Sequence, residues 1–492
     1  MYTATPESVG IRSEAIRAFL EYLENAGLST HDVILMRHDR IVFELYWEPF
    51  HPDFLHRMYS VTKSFVSLAI GCLITDGMLT LDTPVVNYFP EAAASPCPNL
   101  PNQTVRQMLM MATTNPQRNG WFWNHDGDRV KFYFKNKGRN LPGTVFDYDS
   151  TGSFILGAMV ERITGEELMT YLRRRLLDKI GFSREAYMLK CPGGHSWADS
   201  ALLCTPRDLL KAARLTMAEG EWNGEQLIDR DYMRAAVSKQ IDNSDYGSND
   251  YDTQGYGYQI WRSFDNSFCF FGMGCQYAIC VPDKDLILIY NGDNQGLPFA
   301  KPIIFNRFFE MISRPASDGP LPENPEAQAA LASYTEGLKL FAVRGEAHAV
   351  KETEVNGVEF EMDANPMGIT RMRLDFTEDG GVWSYTNAQG DKALPFGLCK
   401  NAFGPFPEEG YDDGVGGVPG DRLYHCAASA AWVSPFQLLL RVQIIDTYFG
   451  NLSVTFGFTD DGAMSVHMRK TAEHFLDTYE GFAYGKRKDV TI

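Results

Sequence analysis

Ser60-Val61-Thr62-Lys63 sets a hydroxyl and an amine three residues apart at the head of an apolar run, YSVTKSFVSLAIGCLITDGMLT, from Tyr59 to Thr80. Residues at that spacing share a helix face, so the two groups can touch. A serine hydroxyl at its free pKa is a poor nucleophile and needs a neighbouring base to take its proton. Lys63 can be that base if burial lowers its pKa. Val61, Phe65, Val66, Leu68, Ala69, Ile70, Leu73 and Ile74 supply the burial, since they make the helix apolar nearly all round. Unpaired backbone N–H groups at its start can meet developing negative charge. The spacing alone is unspecific, because average residue usage gives roughly two chance Ser-x-x-Lys matches in a chain of this length.

Such a pair needs a second proton-handling group and an oxyanion site. Gly143 to Gly157, GTVFDYDSTGSFILG, sets Tyr148 and Ser150 just before an apolar helix. Tyr148 is then either a reactive phenol or a core aromatic, with Asp149 or Ser150 as the helix cap. In Phe270 to Tyr277, FFGMGCQY, glycines interrupt an apolar strand. That pattern marks either a bulge or the close approach of another backbone or a ligand.

The elements that must position these residues follow from periodicity. Pro6 to Asn25 has the spacing of an amphipathic helix, and Asp32–Met36 with Ile41–Trp47 reads as a hairpin. Helices are expected over Thr104–Ala112, Ser150–Gly165, Glu166–Leu177 and Pro206–Glu219, with Pro206 in a first turn. The acidic loop Asp242 to Gln254 lacks calcium-loop spacing and reads as a solvated loop or lid. Strands are expected over Tyr256–Trp261, Phe268–Phe271, Tyr277–Val281 and Leu286–Tyr290, then a helix over Lys301–Ile312. The two ends of this region would share one antiparallel sheet with the helical middle inserted on one side, an α+β domain over residues 1–314.

Arg314 to Ala327 holds four prolines in fourteen residues, which suggests a linker over 315–327. A short helix, Glu326–Ser333, would open a β-rich second domain over 328–492. Strand-like runs at Val355–Glu361, Thr370–Phe376, Gly381–Tyr385, Leu438–Ile444, Ser453–Phe458 and Ala463–Met468 point to a barrel or sandwich, with a long loop over Phe406–Asp421. A packing role against the first domain is the favoured reading of this part. A ligand-binding module, or one that joins copies into a homo-oligomer, is the alternative.

The 492 residues carry a net charge of −18, which argues against nucleic acid or anionic membranes as partners. The longest apolar run is too short and too polar to span a bilayer, and no secretion signal is visible. Nine scattered cysteines without a C-x-x-C pair fit reduced thiols in a cytoplasm. His31, His38, His51 and His56 come closest to a cluster but lack metal-site spacing, and they read as surface or loop histidines. Neither a metal nor a cofactor is expected.

Taken in order, Ser60-Val61-Thr62-Lys63-Ser64, then Tyr148-Asp149-Ser150, then Gly272-Met273-Gly274-Cys275-Gln276 leading to Val281-Pro282-Asp283, the motifs resemble the serine beta-lactamase-like family. They are most similar to its class C beta-lactamase, esterase, D-aminopeptidase and 6-aminohexanoate-dimer hydrolase branch. Leu79 to Val85, Val105 to Thr113 and Gly255-Tyr256-Gly257-Tyr258 agree, and the likeness covers roughly residues 5–314. It implies a beta-lactamase-like domain, an antiparallel sheet flanked by helices plus a helical subdomain, ahead of the β-rich part. It also implies Ser60 as acylated nucleophile, Lys63 as proton acceptor or as the cation that keeps Tyr148 reactive, and Tyr148 as general base and acid. The N–H groups of Ser60 and Cys275 would form the oxyanion hole, with Gly272, Gly274 and Ser150 around the substrate.

Three departures narrow the substrate. Ser150 stands where the family has asparagine, Met111 replaces a histidine, and Gly272 replaces the lysine or histidine that opens the third motif. That cation helps bind substrate carboxylates in penicillin-recognising members, so an uncharged small-molecule ester or amide is the expected substrate. Trp121-Phe122-Trp123, Tyr246 and Tyr251 are candidates to line an acyl pocket or, equally, to pack the core. A serine hydrolase working through an acyl-enzyme on Ser60 is the leading reading. A binding protein that keeps the scaffold without turnover is the alternative, and Ser150 and Gly272 favour it.

Overall fold

The computed structural model describes residues 2–114, 127–247, 249–408, 423–472 and 479–488. The chain divides into two compact units, the first running to Lys339 and the second from Leu340. In the first, seven strands form one sheet: β1 (Tyr2–Thr3), β2 (Thr30–Arg37), β3 (Arg40–Tyr46), β4 (Trp261–Arg262), β5 (Phe268–Gly272), β6 (Gln276–Val281) and β7 (Leu286–Gly292), in the order β1-β3-β2-β7-β6-β5-β4. All pairs are antiparallel except β1 with β3. The central seam joins the two ends of the unit, with Val33 opposite Tyr290 and Leu35 opposite Leu288. Every residue of β2 and β7 is buried, because helices cover both faces of the seam.

On one face Val33, Leu35, Leu288 and Tyr290 meet Ile16, Phe19, Leu20 and Leu23 of α1 (Ser13–Asn25), with Phe305 and Phe308 from a helix at Ala300–Phe308. Residues 315–327 lie along this same unit instead of hanging free. Ser317 N–H donates to Gly10 O, Leu321 N–H to Glu7 O, and buried Arg37 holds the Ser317 and Val9 carbonyls at 2.7 Å each. The helix that follows, Pro325–Thr335, packs on α1 through Leu331, and its Gln328 bonds Glu7. Its single apolar stripe finds a partner on α1, so it closes the first unit rather than opening the second.

The opposite face carries the helical layer. Its centre is α2 (Val61–Thr75), buried from Val61 to Leu73. Against it lies α3 (Ser150–Thr164), closed by left-handed Gly165, and α4 (Pro206–Met217) crosses β2, β6 and β7 from a Thr205/Asp208 capping box. The helix expected over Thr104–Ala112 is reduced to Val105–Leu109. Of the strand expected over Tyr256–Trp261, only Trp261 joins the sheet. Gly255 at φ 117° and Gln259 at φ 59° break the extended path. Gln259 acts as a clamp instead: its amide donates to the Met108 and Leu109 carbonyls, its side-chain oxygen accepts from Ser153, and its backbone carbonyl accepts from Ser64.

The second unit is a closed barrel rather than a sandwich. Nine strands form the ring: Glu359–Met362, Arg371–Phe376, Gly380–Asn387, Gly390–Leu398, His425–Ser434, Gln437–Ile445, Phe449–Phe458, Ala463–Ala472 and Tyr479–Arg487. Closure comes from the parallel pairing of Gly397 with Ser429 and Leu398 with Ala430. Trp383, Tyr385, Phe456, Leu440 and Val454 are among the side chains of its core. Val350–Val355 is helical where a strand was expected to begin, and the loop expected over Phe406–Asp421 lies mostly outside the described residues.

Leu331→Ala should destabilise the first unit by about 2–3 kcal/mol, the usual cost of emptying a buried leucine site. Urea unfolding followed by the tryptophans measures it, and an unchanged midpoint would detach this helix from that core.

Candidate active site

Ser60 stands at the amino-terminal end of α2, delivered by a strained approach. Tyr59, fully buried, has φ 47°, a left-handed conformation costly for a bulky residue. Neighbouring pairing holds it there. His56 and Arg57 pair with Cys204 and Leu203, Met58 N–H donates to Leu202 O, and the Thr62 hydroxyl accepts from Leu202 N–H. This seam stitches residues 202–204 to the chain entering Ser60.

Lys63 Nζ lies 2.9 Å from Ser60 Oγ and donates to the Asp199 carbonyl at 2.7 Å. Burial pushes the amine down to about 8, while the Asp199 and Asp149 carboxylates pull it back up. Tyr148 hydrogen-bonds Ser60 from the other side, and Lys63 Nζ sits 5.2 Å from its ring centroid. Burial raises the phenol's pKa further than the Ser60 bond lowers it, so the proton stays on Tyr148. The structure therefore brings Ser60, Lys63 and Tyr148 together.

Tyr148 is aimed by its neighbours. Asp149 just after it is buried, accepts from the Thr113 and Thr151 hydroxyls, and its N–H meets Met111 Sδ at 3.2 Å. The phenol ring stacks on Trp261 at 5.5 Å within a cluster of Met111, Phe146 and Tyr256. Ser150 opens α3 almost fully buried.

The third motif forms a three-residue hairpin, Met273-Gly274-Cys275, between β5 and β6, with Gly274 at φ 77° and Cys275 at φ 79°. Gln276 fastens it by donating to the Met273 and Gly292 carbonyls. The Cys275 thiol turns into the core beside Tyr277 and Asn294, and burial pushes it up to about 12, so it is no nucleophile. Gly272 has a sharper requirement. A Cβ there would lie 2.5 Å from the Met58 carbonyl oxygen, two residues before Ser60, so the strand edge touches the chain that presents Ser60.

Among the proposed lining residues, Tyr246 is half exposed and packs edge-on against Phe146, 6.3 Å from Tyr148. Tyr251 does not line the site. It is buried and stacks on Phe305 at 4.8 Å in the core beneath the sheet. Trp121, Phe122 and Trp123 lie outside the described residues. Two histidines also differ from expectation: His31 and His56 are fully buried and bond each other at 2.8 Å, with Phe50 stacked on His31 at 3.8 Å. Burial pushes His56 down to about 3 and keeps it neutral. Exposed His38 pairs with Asp285. Among the described residues no group of three or more His, Cys, Asp or Glu is placed to hold a metal ion, and no helix is long and apolar enough to cross a membrane. Sequence reasoning missed Asp199 and Gln259, because a lone aspartate or glutamine in a loop carries no pattern.

A sheet joining both ends of a unit, with a helical layer whose central helix presents a Ser-x-x-Lys pair to a tyrosine, defines a class, and the chain belongs to the Beta-lactamase family, whose pattern matches residues 15–301. All three motifs lie inside that match. A 6-aminohexanoate-dimer hydrolase of Paenarthrobacter ureafaciens is 28% identical over 255 residues, which is 48% of this chain and 64% of that protein. The chain thus spans 64% of the length of this curated relative. A Bacillus anthracis protein assigned by name to the 6-aminohexanoate-dimer hydrolases superposes with a TM-score of 0.55 at 18% identity, over 66% of this chain and 89% of that one. SurE with D-Leu superposes at 0.51 and 18% identity, over 87% and 97%. At these identities the two structures speak to fold alone.

Gly272→Val should slow the reaction of Ser60 with a fluorophosphonate about tenfold or more, since the added side chain must displace the Met58 carbonyl. Stopped-flow labelling reads the rate, and an undiminished rate would uncouple the strand edge from the nucleophile.

Proposed function

We propose that this protein is a serine hydrolase that opens ester or amide bonds of small uncharged substrates through an acyl-enzyme on Ser60. The observation that carries this reading is the Ser60 hydroxyl held between the Lys63 amine at 2.9 Å and the Tyr148 phenol.

With Lys63 near 8, about a tenth of the amine is neutral at pH 7, so drawing on that form costs about 1.4 kcal/mol. Forming the Tyr148 phenolate costs far more, because burial moves that group the other way. Lys63 therefore takes the first proton as Ser60 Oγ attacks the carbonyl carbon, and the phenol passes its proton to the leaving alkoxide or amine as the Lys63 ammonium resupplies it, so that Lys63 returns to the neutral amine and Tyr148 stays a phenol. Among the described residues the backbone N–H groups of Ser60 and Cys275 donate to no protein acceptor. They serve the tetrahedral oxyanion, a contribution of about 3 kcal/mol when one such donor is lost elsewhere. Water then attacks the acyl carbon along the reverse proton path and frees Ser60.

Gly272 offers no charge for a substrate carboxylate, and Tyr246, Phe146 and Trp261 give the site an aromatic wall. Both features favour neutral, apolar groups. The relative named for hydrolysing a 6-aminohexanoate dimer supports amides as well as esters.

A tagged fluorophosphonate should label the wild type and leave Ser60→Ala unlabelled, and Tyr148→Phe should lower kcat on nitrophenyl esters about a hundredfold with the fold intact. Equal labelling of wild type and Ser60→Ala, with no turnover of any ester, would instead support a binding protein on the same scaffold. The sign of the pH dependence is fixed by Lys63: kcat/KM should rise as pH climbs through about 8, where the amine loses its proton. A profile flat from pH 6 to 9 would remove Lys63 as the base.

A further inference from the structure

Around Lys63 and the 197–200 turn the structure buries an unusual set of charges. Asp199 is fully buried, and neither oxygen of its carboxylate accepts a hydrogen bond from the described residues. Arg57 and Arg129 are also buried, with guanidinium carbons 5.0 and 4.8 Å from the Trp197 ring, two residues before Asp199. Arg57 Nε donates to Ser200 O at 2.7 Å, so the 197–200 turn is pinned on one side by Arg57 and on the other by Lys63.

We propose that Asp199 is a positioning residue that acts through Lys63: its carbonyl fixes the amine beside Ser60, and its buried carboxylate keeps that amine basic enough to take the serine proton. The inference rests on the hydrolase reading for its purpose, though not for its measurement. The groups facing Lys63 are the Ser60 hydroxyl on its own helix turn, the Tyr148 phenol and Asp149 carboxylate at the start of α3, and Asp199 on the 197–200 turn. Arg57, Arg129 and the Cys191 thiol also act on Asp199.

Asp199 shares its buried surroundings with three cations, Lys63, Arg57 and Arg129, and a carboxylate among cations is the arrangement in which buried charges offset one another. Burial raises the Asp199 pKa, and the three cations oppose the rise. Its negative charge in turn offsets part of the desolvation that would strip the proton from Lys63. A general base works best with a pKa near the working pH. Without Asp199 the buried amine would titrate lower and accept the Ser60 proton less readily.

The test is direct titration of Lys63 by NMR with ε-13C-lysine, its resonance assigned by loss in Lys63→Met. In Asp199→Asn the midpoint should fall by about one pH unit or more, and the rising limb of kcat/KM should fall with it while the plateau drops. Asp199→Glu, which keeps the charge, should restore at least half the shift. Should the asparagine variant not fold, Asp199→Ser removes the same charge and takes its place. A folded neutral variant with an unmoved Lys63 midpoint would overturn the proposal, whatever its activity. A wild type without Ser60-dependent turnover would overturn the hydrolase reading while leaving the NMR result to stand or fall separately.

Discussion

Keeping an amine out of water yet within reach of a hydroxyl is the constraint around which the first unit is built. Lys63 can be buried only because its three hydrogens find partners or neighbours of the right sign: Ser60 Oγ, the Asp199 carbonyl and the two nearby carboxylates. That demand explains features with no other shared cause. α2 is apolar almost all round because its first turn must be dry. Tyr59 tolerates a left-handed backbone because pairing between residues 56–57 and 203–204 leaves the chain no easier path into the helix.

The sheet's contribution is to bring distant parts of the chain to one place. Its central seam pairs residues from both ends of the unit, and only that pairing sets the Gly272 edge against Met58. Gln259 does comparable work among the helices, tying α2, α3 and the Val105–Leu109 turn through four hydrogen bonds. Ser60 sits on one element and is located by several.

What the sequence discloses follows the reach of the interactions involved. Ser60 with Lys63 is a helix-local pair, and α2 and α4 announce themselves by apolar runs or caps within a few residues, so all were legible. The partners of Lys63 were not: Asp199 is 136 positions away, and nothing in SWADSALL distinguishes its aspartate. His31 and His56 look like loop residues by composition, and only the fold reveals that each is the other's hydrogen-bonding partner. In the barrel, His425–Ser434 escaped notice because small alanines fill crowded interior positions where larger β-formers would be expected. Closure of the ring depends on one parallel pairing between Gly397–Leu398 and Ser429–Ala430, which no local pattern encodes. The Tyr256–Trp261 segment misleads in the opposite direction, since its aromatics suggest a strand that two positive-φ residues forbid.

Gly272 bears on how such a site can change over evolutionary time. Resemblance to penicillin-recognising members implies a cation at this position, and a single codon change would introduce one. The backbone opposes it: a Cβ at residue 272 meets the carbonyl two residues ahead of Ser60, so the first effect of a lysine there would be to disturb the chain that presents Ser60. A descendant of this chain that came to hold anionic ligands would have to recruit its positive charge from a different loop or shift the strand that carries Gly272.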